Sequence, residues 1–356
     1  MAEDINLDRR RFLGRVAMTM TAAPVGVLGM AEVATAREPR ELAALGRAAD
    51  WLNSPPLTAS SLAGKVVLVD FWTYTCINWM RTLPFVRAWA HKCREGLVAV
   101  GVHTPEFPFE HGVDNVRRSV QKMDIRYPVV IDNDYAIWRA FDNHYWPALY
   151  LVDARGHVRE HYFGEGQYDK AEVAVRRLLT EARAPAGGDL ALPVQASSAE
   201  APADWRNLRS PENYVGYERT EGFASPGGVE SDKRHLYAAP ARLGLNEWAL
   251  AGEWTIGRQA TVLSGTNGRI AYRFHARDVH LVMGPPRQGN GVRFRVTIDG
   301  EPPRGAHGLD VDEAGSGTVA EPRMYQLVRQ QQPIVDRRFE IEFFEAGVEA
   351  YSFTFG

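Results

Sequence analysis

The feature that most restricts what this chain can fold into is a change of hydrophobic period partway along it. Between residues 66 and 183, short apolar runs alternate with helical patterns; from about residue 270 onward, apolar residues recur at every second position. A strand period cannot be satisfied by helices, so the two stretches require different architectures. Residues 66–71 form a continuous apolar run interrupted by Asp70, the mark of a strand buried on both faces. Leu83, Val86, Ala90 and Cys93 then recur at spacings of three and four, one face of a helix that Gly96 ends. Further strands are predicted at 97–104, 127–132, 148–153 and 158–163, the last two a hairpin around Ala154-Arg155-Gly156, with helices at 111–123, 135–141 and 168–183. The order β-α-β-α-β-α-β-β-α predicts an α/β sheet covered on both faces, within residues 45–183.

Residues 184–204 are rich in Ala, Pro, Gly, Ser and Gln with no periodicity, a linker composition. Beyond it, Ile270, Tyr272 and Phe274, then Val292, Phe294, Val296 and Ile298, then Phe339, Ile341 and Phe343 alternate inward and outward, predicting an all-β sandwich over 205–356. Formal net charge is only −3 in 356 residues, so no charge excess points to nucleic acid. Two cysteines cannot make a disulfide framework, and stability must come from apolar cores.

Residues 1–36 read as a twin-arginine signal peptide. Arg9-Arg10-Arg11-Phe12-Leu13 precedes a mildly apolar run over 16–31, and Ala34-Thr35-Ala36 supplies a small-residue cleavage site. The run is shorter than the ~18 apolar residues of a spanning helix. The expected destination is the periplasm or another extracytoplasmic space, with no integral membrane segment left after signal removal.

Cys76 follows the buried strand and opens a helix, where backbone N–H groups and the helix dipole favour the thiolate. The alternative is an inert buried cysteine. Cys93 lies 17 residues on, and a helix rising about 1.5 Å per residue holds the two apart by roughly 25 Å, so no bridge joins them. Ten histidines show no metal-binding spacing, His103 and His111 read as structural or solvated, and no metal or cofactor is expected. A peroxidase site would want Pro-x-x-x-Thr-x-x-Cys; Thr73 fits, but Val69 stands where the proline should be, which leaves a one-cysteine peroxidase as a minor reading.

Val69-Asp70-Phe71-Trp72-Thr73-Tyr74-Thr75-Cys76-Ile77-Asn78-Trp79, with Pro84 in the following helix, resembles the active-site segment of thioredoxin-like proteins of the TlpA/DipZ type. His103-Thr104-Pro105-Glu106, Tyr145-Trp146-Pro147-Ala148 and Phe163-Gly164-Glu165-Gly166 resemble the extracytoplasmic part of DipZ-type proteins, in the same order. The resemblance implies a thioredoxin-like fold followed by a jelly-roll, carbohydrate-binding-module-like sandwich, and thiol-disulfide exchange with cysteine-containing envelope proteins or small thiols. Where the DipZ pattern has Cys-Ile-Asn-Cys, this chain has Trp79, so the expected mechanism is monothiol, with Cys76 as nucleophile and an external thiol as resolver. A redox-inactive binding protein for peptides or glycans is the competing reading. By resemblance Asp70 matches the buried proton-handling carboxyl; a satisfied buried carboxyl is the alternative. Pro147 is expected in a cis bond facing Cys76, against a trans proline on an edge strand. Trp72, Tyr74, Trp79 and Trp146 would surround the sulfur for apolar peptide segments, or pack as core. Trp248 and Trp254 could stack on a glycan, or again be core.

Overall fold

A computed structural model describes residues 40–48, 50–186, 198–286 and 291–356. The twin-arginine segment and most of the 184–204 stretch lie outside the described residues. The first half runs α1 (Arg40–Leu45), β1 (Trp51–Leu52), β2 (Val66–Trp72), α2 (Ile77–Lys92), β3 (Leu97–His103), α3 (Val113–Lys122), β4 (Val129–Ile131), α4 (Ala136–Ala140), β5 (Ala148–Val152), β6 (Val158–Phe163) and α5 (Tyr168–Glu181). The sheet order is β1-β4-β3-β2-β5-β6, with β2, β3 and β4 parallel and β1, β5 and β6 antiparallel to their neighbours. This is the thioredoxin-like fold that the motifs imply; α1 and β1 precede the elements predicted.

β2 is buried at every position, and its alternation explains both layers. Val67, Val69 and Phe71 join a core with Leu42, Leu45, Ile137 and Phe141, under α1 and α4. Val66, Leu68 and Trp72 join the opposite core with Leu83, Val86 and Trp89 of α2 and Val175, Leu178 and Leu179 of α5. Asp70 is in phase with this second set and therefore faces α2. Gly101, its register partner on β3, lies under the Trp72 indole, and a Cβ there would come within 2.9 Å of Nε1. β5 is an interior strand, so Pro147 at its start is not on an edge. The Trp146–Pro147 bond is cis.

From Asn213 onward the described chain is β apart from one short 3-10 turn at Arg304–Ala306. The strand Trp248–Ile256 pairs with Gly268–Phe274 on one side and Thr261–Leu263 on another, carrying the sheet from one layer into the next. The layers close on Tyr272, Phe294, Phe339, Phe353 and Phe355, with Tyr272 and Phe353 rings 5.0 Å apart. Trp248 and Trp254 are fully buried in this core, which removes both from any stacking on a glycan.

The two halves share a core. Val282, Met324 and Tyr351 of the β-rich half belong to the cluster built on α2. The Tyr351 ring sits 5.0 Å from Phe107 and 4.9 Å from Phe109. Arg81 of α2 is buried in an ion pair with Glu165 at 3.0 Å, and Lys122 pairs with Glu321 across the halves. The described ends of the linker are tied down as well: Ala186 O accepts the Cys93 thiol, and Glu200 receives Arg87 through both carboxylate oxygens at 2.7 and 2.8 Å. Residues 40–186 expressed alone should therefore unfold at a lower urea concentration than the same residues in the full chain, because large apolar side chains lose about 2–5 kcal/mol each when their core partners go. Equal midpoints would show that the halves are energetically independent.

Candidate thiol site

Cys76 is the N-cap of α2, in extended conformation (φ −77°, ψ 110°), and its carbonyl accepts the Met80 N–H at 3.0 Å. Its N–H returns to Thr73 O at 3.2 Å, closing a turn between β2 and α2. The sulfur is partly buried and faces the backbone N–H groups of Trp79 and Asn78, as a helix start provides. These amides do not win. Burial pushes the Cys76 thiol well above its usual value, the charge of Glu212 in the β-rich half and that of Glu106 add to it, and the two amides only partly offset them. The helix-start amides act in the expected direction, but burial outweighs them; the helix start was visible in sequence, whereas the burial and the charges of Glu212 and Glu106 were not.

Asp70 is fully buried. Its Oδ2 accepts the Trp79 indole N–H at 3.0 Å and the Tyr127 hydroxyl at 3.4 Å, while Oδ1 has no hydrogen-bond partner. Desolvation raises its carboxyl to about 7, against the lowering effect of Trp79 and Tyr127. The indole thus stands where a resolving thiol would, and gives Asp70 a donor that does not ionise.

Trp72, Tyr74 and Trp79 are fully buried core residues, in the cluster against which the partly buried Cys76 packs. The Trp72 and Trp79 rings stack at 4.3 Å, and Tyr74 stacks on the buried His103 at 5.7 Å. The reason is size: three large rings beside a fully buried strand gain more by joining its core than by lining a groove. Pro147 is buried as well, its carbonyl taken by the Gly164 N–H at 2.9 Å. Trp146 alone of the five is half-buried, its indole N–H donating to Thr104 O at 3.1 Å. His103 is held neutral, at about 3, by burial. Cys93 is buried at the C-cap of α2, at the far end of the 16-residue helix from Cys76, and both thiols are free.

The sequence reading missed the acids. Glu110 is fully buried; its Oε1 accepts Thr75 Oγ1 at 2.6 Å, and its Oε2 accepts the N–H groups of Glu106 and Phe107 at 2.6 and 2.9 Å. Glu106 in turn accepts the Tyr214 hydroxyl at 2.6 Å and Arg219 at 3.1 Å, with the Arg219 guanidinium over the Tyr214 ring. A Glu three residues after the start of a short turn, as Glu110 stands to Phe107, was the one available signal.

Several buried groups shape the pH response, and four of them are strongly shifted within or near the accessible range. Asp70 and Glu110, raised to about 7 mainly by desolvation, favour the protonated form; their contribution to stability is present below about pH 4 and is lost as pH rises through 7. His103 and His280, lowered to about 3 by burial, contribute above pH 6.5 and lose that contribution as pH falls toward 3. Asp70→Asn, which keeps an acceptor for Trp79, should be more stable than the parent, by a margin that grows by about 2–3 kcal/mol between about pH 5 and pH 8.5 in urea unfolding. A margin that does not change with pH would mean that Asp70 titrates as an ordinary carboxyl.

Comparison with known proteins agrees with this architecture. Residues 210–356 match the family model described as "Thioredoxin like C-terminal domain". The chain is 35% identical over 310 residues to Protein DipZ of Mycobacterium tuberculosis and of Mycobacterium bovis, a match covering 86% of this chain and 41% of DipZ. It therefore spans about two fifths of the length of those relatives. It is 29% identical over 131 residues to thiol-disulfide oxidoreductase YkuV of Bacillus subtilis, covering 37% of this chain and 88% of YkuV. Among solved structures, a thioredoxin-like protein in its oxidised form aligns at 31% identity over 38% of this chain and 90% of its own, with a TM-score of 0.35.

Proposed function

Because the chain is a DipZ-type thioredoxin-like protein, we propose that it carries out thiol-disulfide exchange through the single cysteine Cys76, outside the cytoplasm, on cysteine-containing envelope proteins or small thiols. The observation that carries this reading is a cysteine at the N-cap of the helix that follows the fully buried strand of a thioredoxin-like sheet. In the step proposed, the Cys76 thiol gives its proton to water, and its sulfur attacks one sulfur of a disulfide. The S–S bond breaks, the leaving sulfur departs with the electron pair as a thiolate, and a mixed disulfide remains. An external thiolate then attacks that mixed disulfide, because Trp79 supplies no sulfur and Cys93 lies at the far end of α2. Asp70, held at about 7, takes up and releases a proton near neutrality, which suits a local acid–base role beside α2. The twin-arginine leader is the basis for placing the protein outside the cytoplasm.

The setting of Cys76 favours a second reading, a binding protein without turnover: burial pushes its thiol up, which disfavours the thiolate. Oxidised glutathione separates the two. The parent and Cys93→Ser should acquire one glutathione adduct by mass spectrometry, faster as pH rises, and Cys76→Ser should acquire none. No adduct on the folded parent at any pH would move the assignment to the binding reading.

Trp79→Cys is a sharper probe with a known cost. It puts a second thiol three residues from the first at the start of a helix, on the same face. It also deletes a fully buried indole that stacks on Trp72 and donates to Asp70, at a cost of about 3–5 kcal/mol. The expected outcome is a lower urea midpoint together with insulin disulfide reduction, which the parent should fail to complete. A folded Trp79→Cys protein without that activity would count against an intact exchange site.

A further inference from the structure

The contacts of Glu110 reach from the thiol turn to the loop that meets the β-rich half. One carboxylate oxygen takes the hydroxyl of Thr75, the residue before Cys76; the other takes two consecutive amides of the loop that carries Glu106. Both Glu110 and Thr75 are buried. Among the described residues no cation pairs with Glu110, so its charge is met by hydroxyls and amides. A carboxylate that accepts three short hydrogen bonds in a buried site fixes the position of its donors more firmly than a neutral acceptor does.

We propose that Glu110 is a positioning residue for Cys76, holding the Thr73–Cys76 turn through Thr75 so that the sulfur stays over the Asn78 and Trp79 amides at the start of α2. This inference rests on the reading of Cys76 as a reactive thiol and adds the group that aligns it. Ionised, Glu110 accepts from all three donors. Protonated, it gives up part of that capacity, and the turn loosens. Glu106 on the same loop, Tyr74 on the turn and Tyr135 at the start of α4 face the carboxyl electrostatically, and Glu212 and Glu106 face the sulfur. Burial holds the Glu110 carboxyl at about 7, against the Thr73 and Thr75 hydroxyls and the Phe107 amide, so its charge changes inside the range where thiol reactivity is measured.

The test is alkylation of the full chain by iodoacetamide in a Cys93→Ser background, where Cys76 is the one remaining thiol. The S–C bond forms as iodide leaves, and the thiol proton passes to water. If Glu110 must be ionised to align the sulfur, log rate against pH rises with a slope above one below about pH 7 and with a slope of one above it. Thr75→Val should lower the rate about tenfold at pH 8 and remove the steep limb, since a hydrogen bond to a charged acceptor is lost. Thr75→Ser should restore both within about twofold, because it keeps the hydroxyl. Glu110→Gln, where it folds, should give a single slope. Superimposable profiles for the parent, Thr75→Val and Thr75→Ser would overturn the inference while leaving Cys76 a reactive thiol. A folded parent that is not alkylated at any pH, though it reacts in urea, would instead overturn the exchange reading itself.

Discussion

The structure depends on one strand having to be buried on both faces. β2 carries apolar side chains into two cores, and in doing so it carries Asp70 into one of them, where among the described residues no cation pairs with it. What meets it is the Trp79 indole, and that hydrogen bond ties the strand to the first turn of α2. Cys76 sits on the short turn between these two anchored ends. The location of the sulfur is thus a product of core packing, and its environment is a product of what else packs there.

A second layer of control comes from the β-rich half. Tyr214 and Arg219 hold Glu106, Glu106 and Phe107 are held by Glu110, and Glu110 holds Thr75. Glu212 adds negative charge next to the sulfur. An isolated thioredoxin-like sheet would present the cysteine on a helix start with favourable amides and little else. Here burial outweighs those amides, and the Glu212 charge of the second half adds to it, so the thiol is pushed further up.

Much of this was legible in the sequence and some was not, for definable reasons. The strand and helix order from residue 66 to 183 follows from hydrophobic period, because every one of these elements except the half-exposed β6 buries part of one face. α1 and β1 were missed because six and two residues are too short to show a period. Cys76 and Asp70 were visible as deviations from an apolar run. The aromatic residues Trp72, Tyr74 and Trp79 were visible but ambiguous, since a ring looks the same in a one-letter string whether it faces solvent or core. Glu106, Glu110 and Glu212 were not visible as site residues, because their role comes from pairing over long sequence distances. Linker composition at 184–204 pointed to a free connection, whereas Ala186 and Glu200 at its described ends are held against the first half.

The shared core around Tyr351 has a consequence for how the molecule comes into being. Its ring closes over Phe107 and Phe109, about 240 residues earlier in the chain, and such long-range contacts slow folding. Synthesis delivers the cysteine turn long before it delivers the strand that finishes the core beneath it. On the ribosome the nascent thioredoxin-like half must therefore wait with a hydrophobic wall uncovered. During that interval Cys76 also lacks the neighbouring charge of Glu212, and the uncovered wall is what a chaperone would have most to protect.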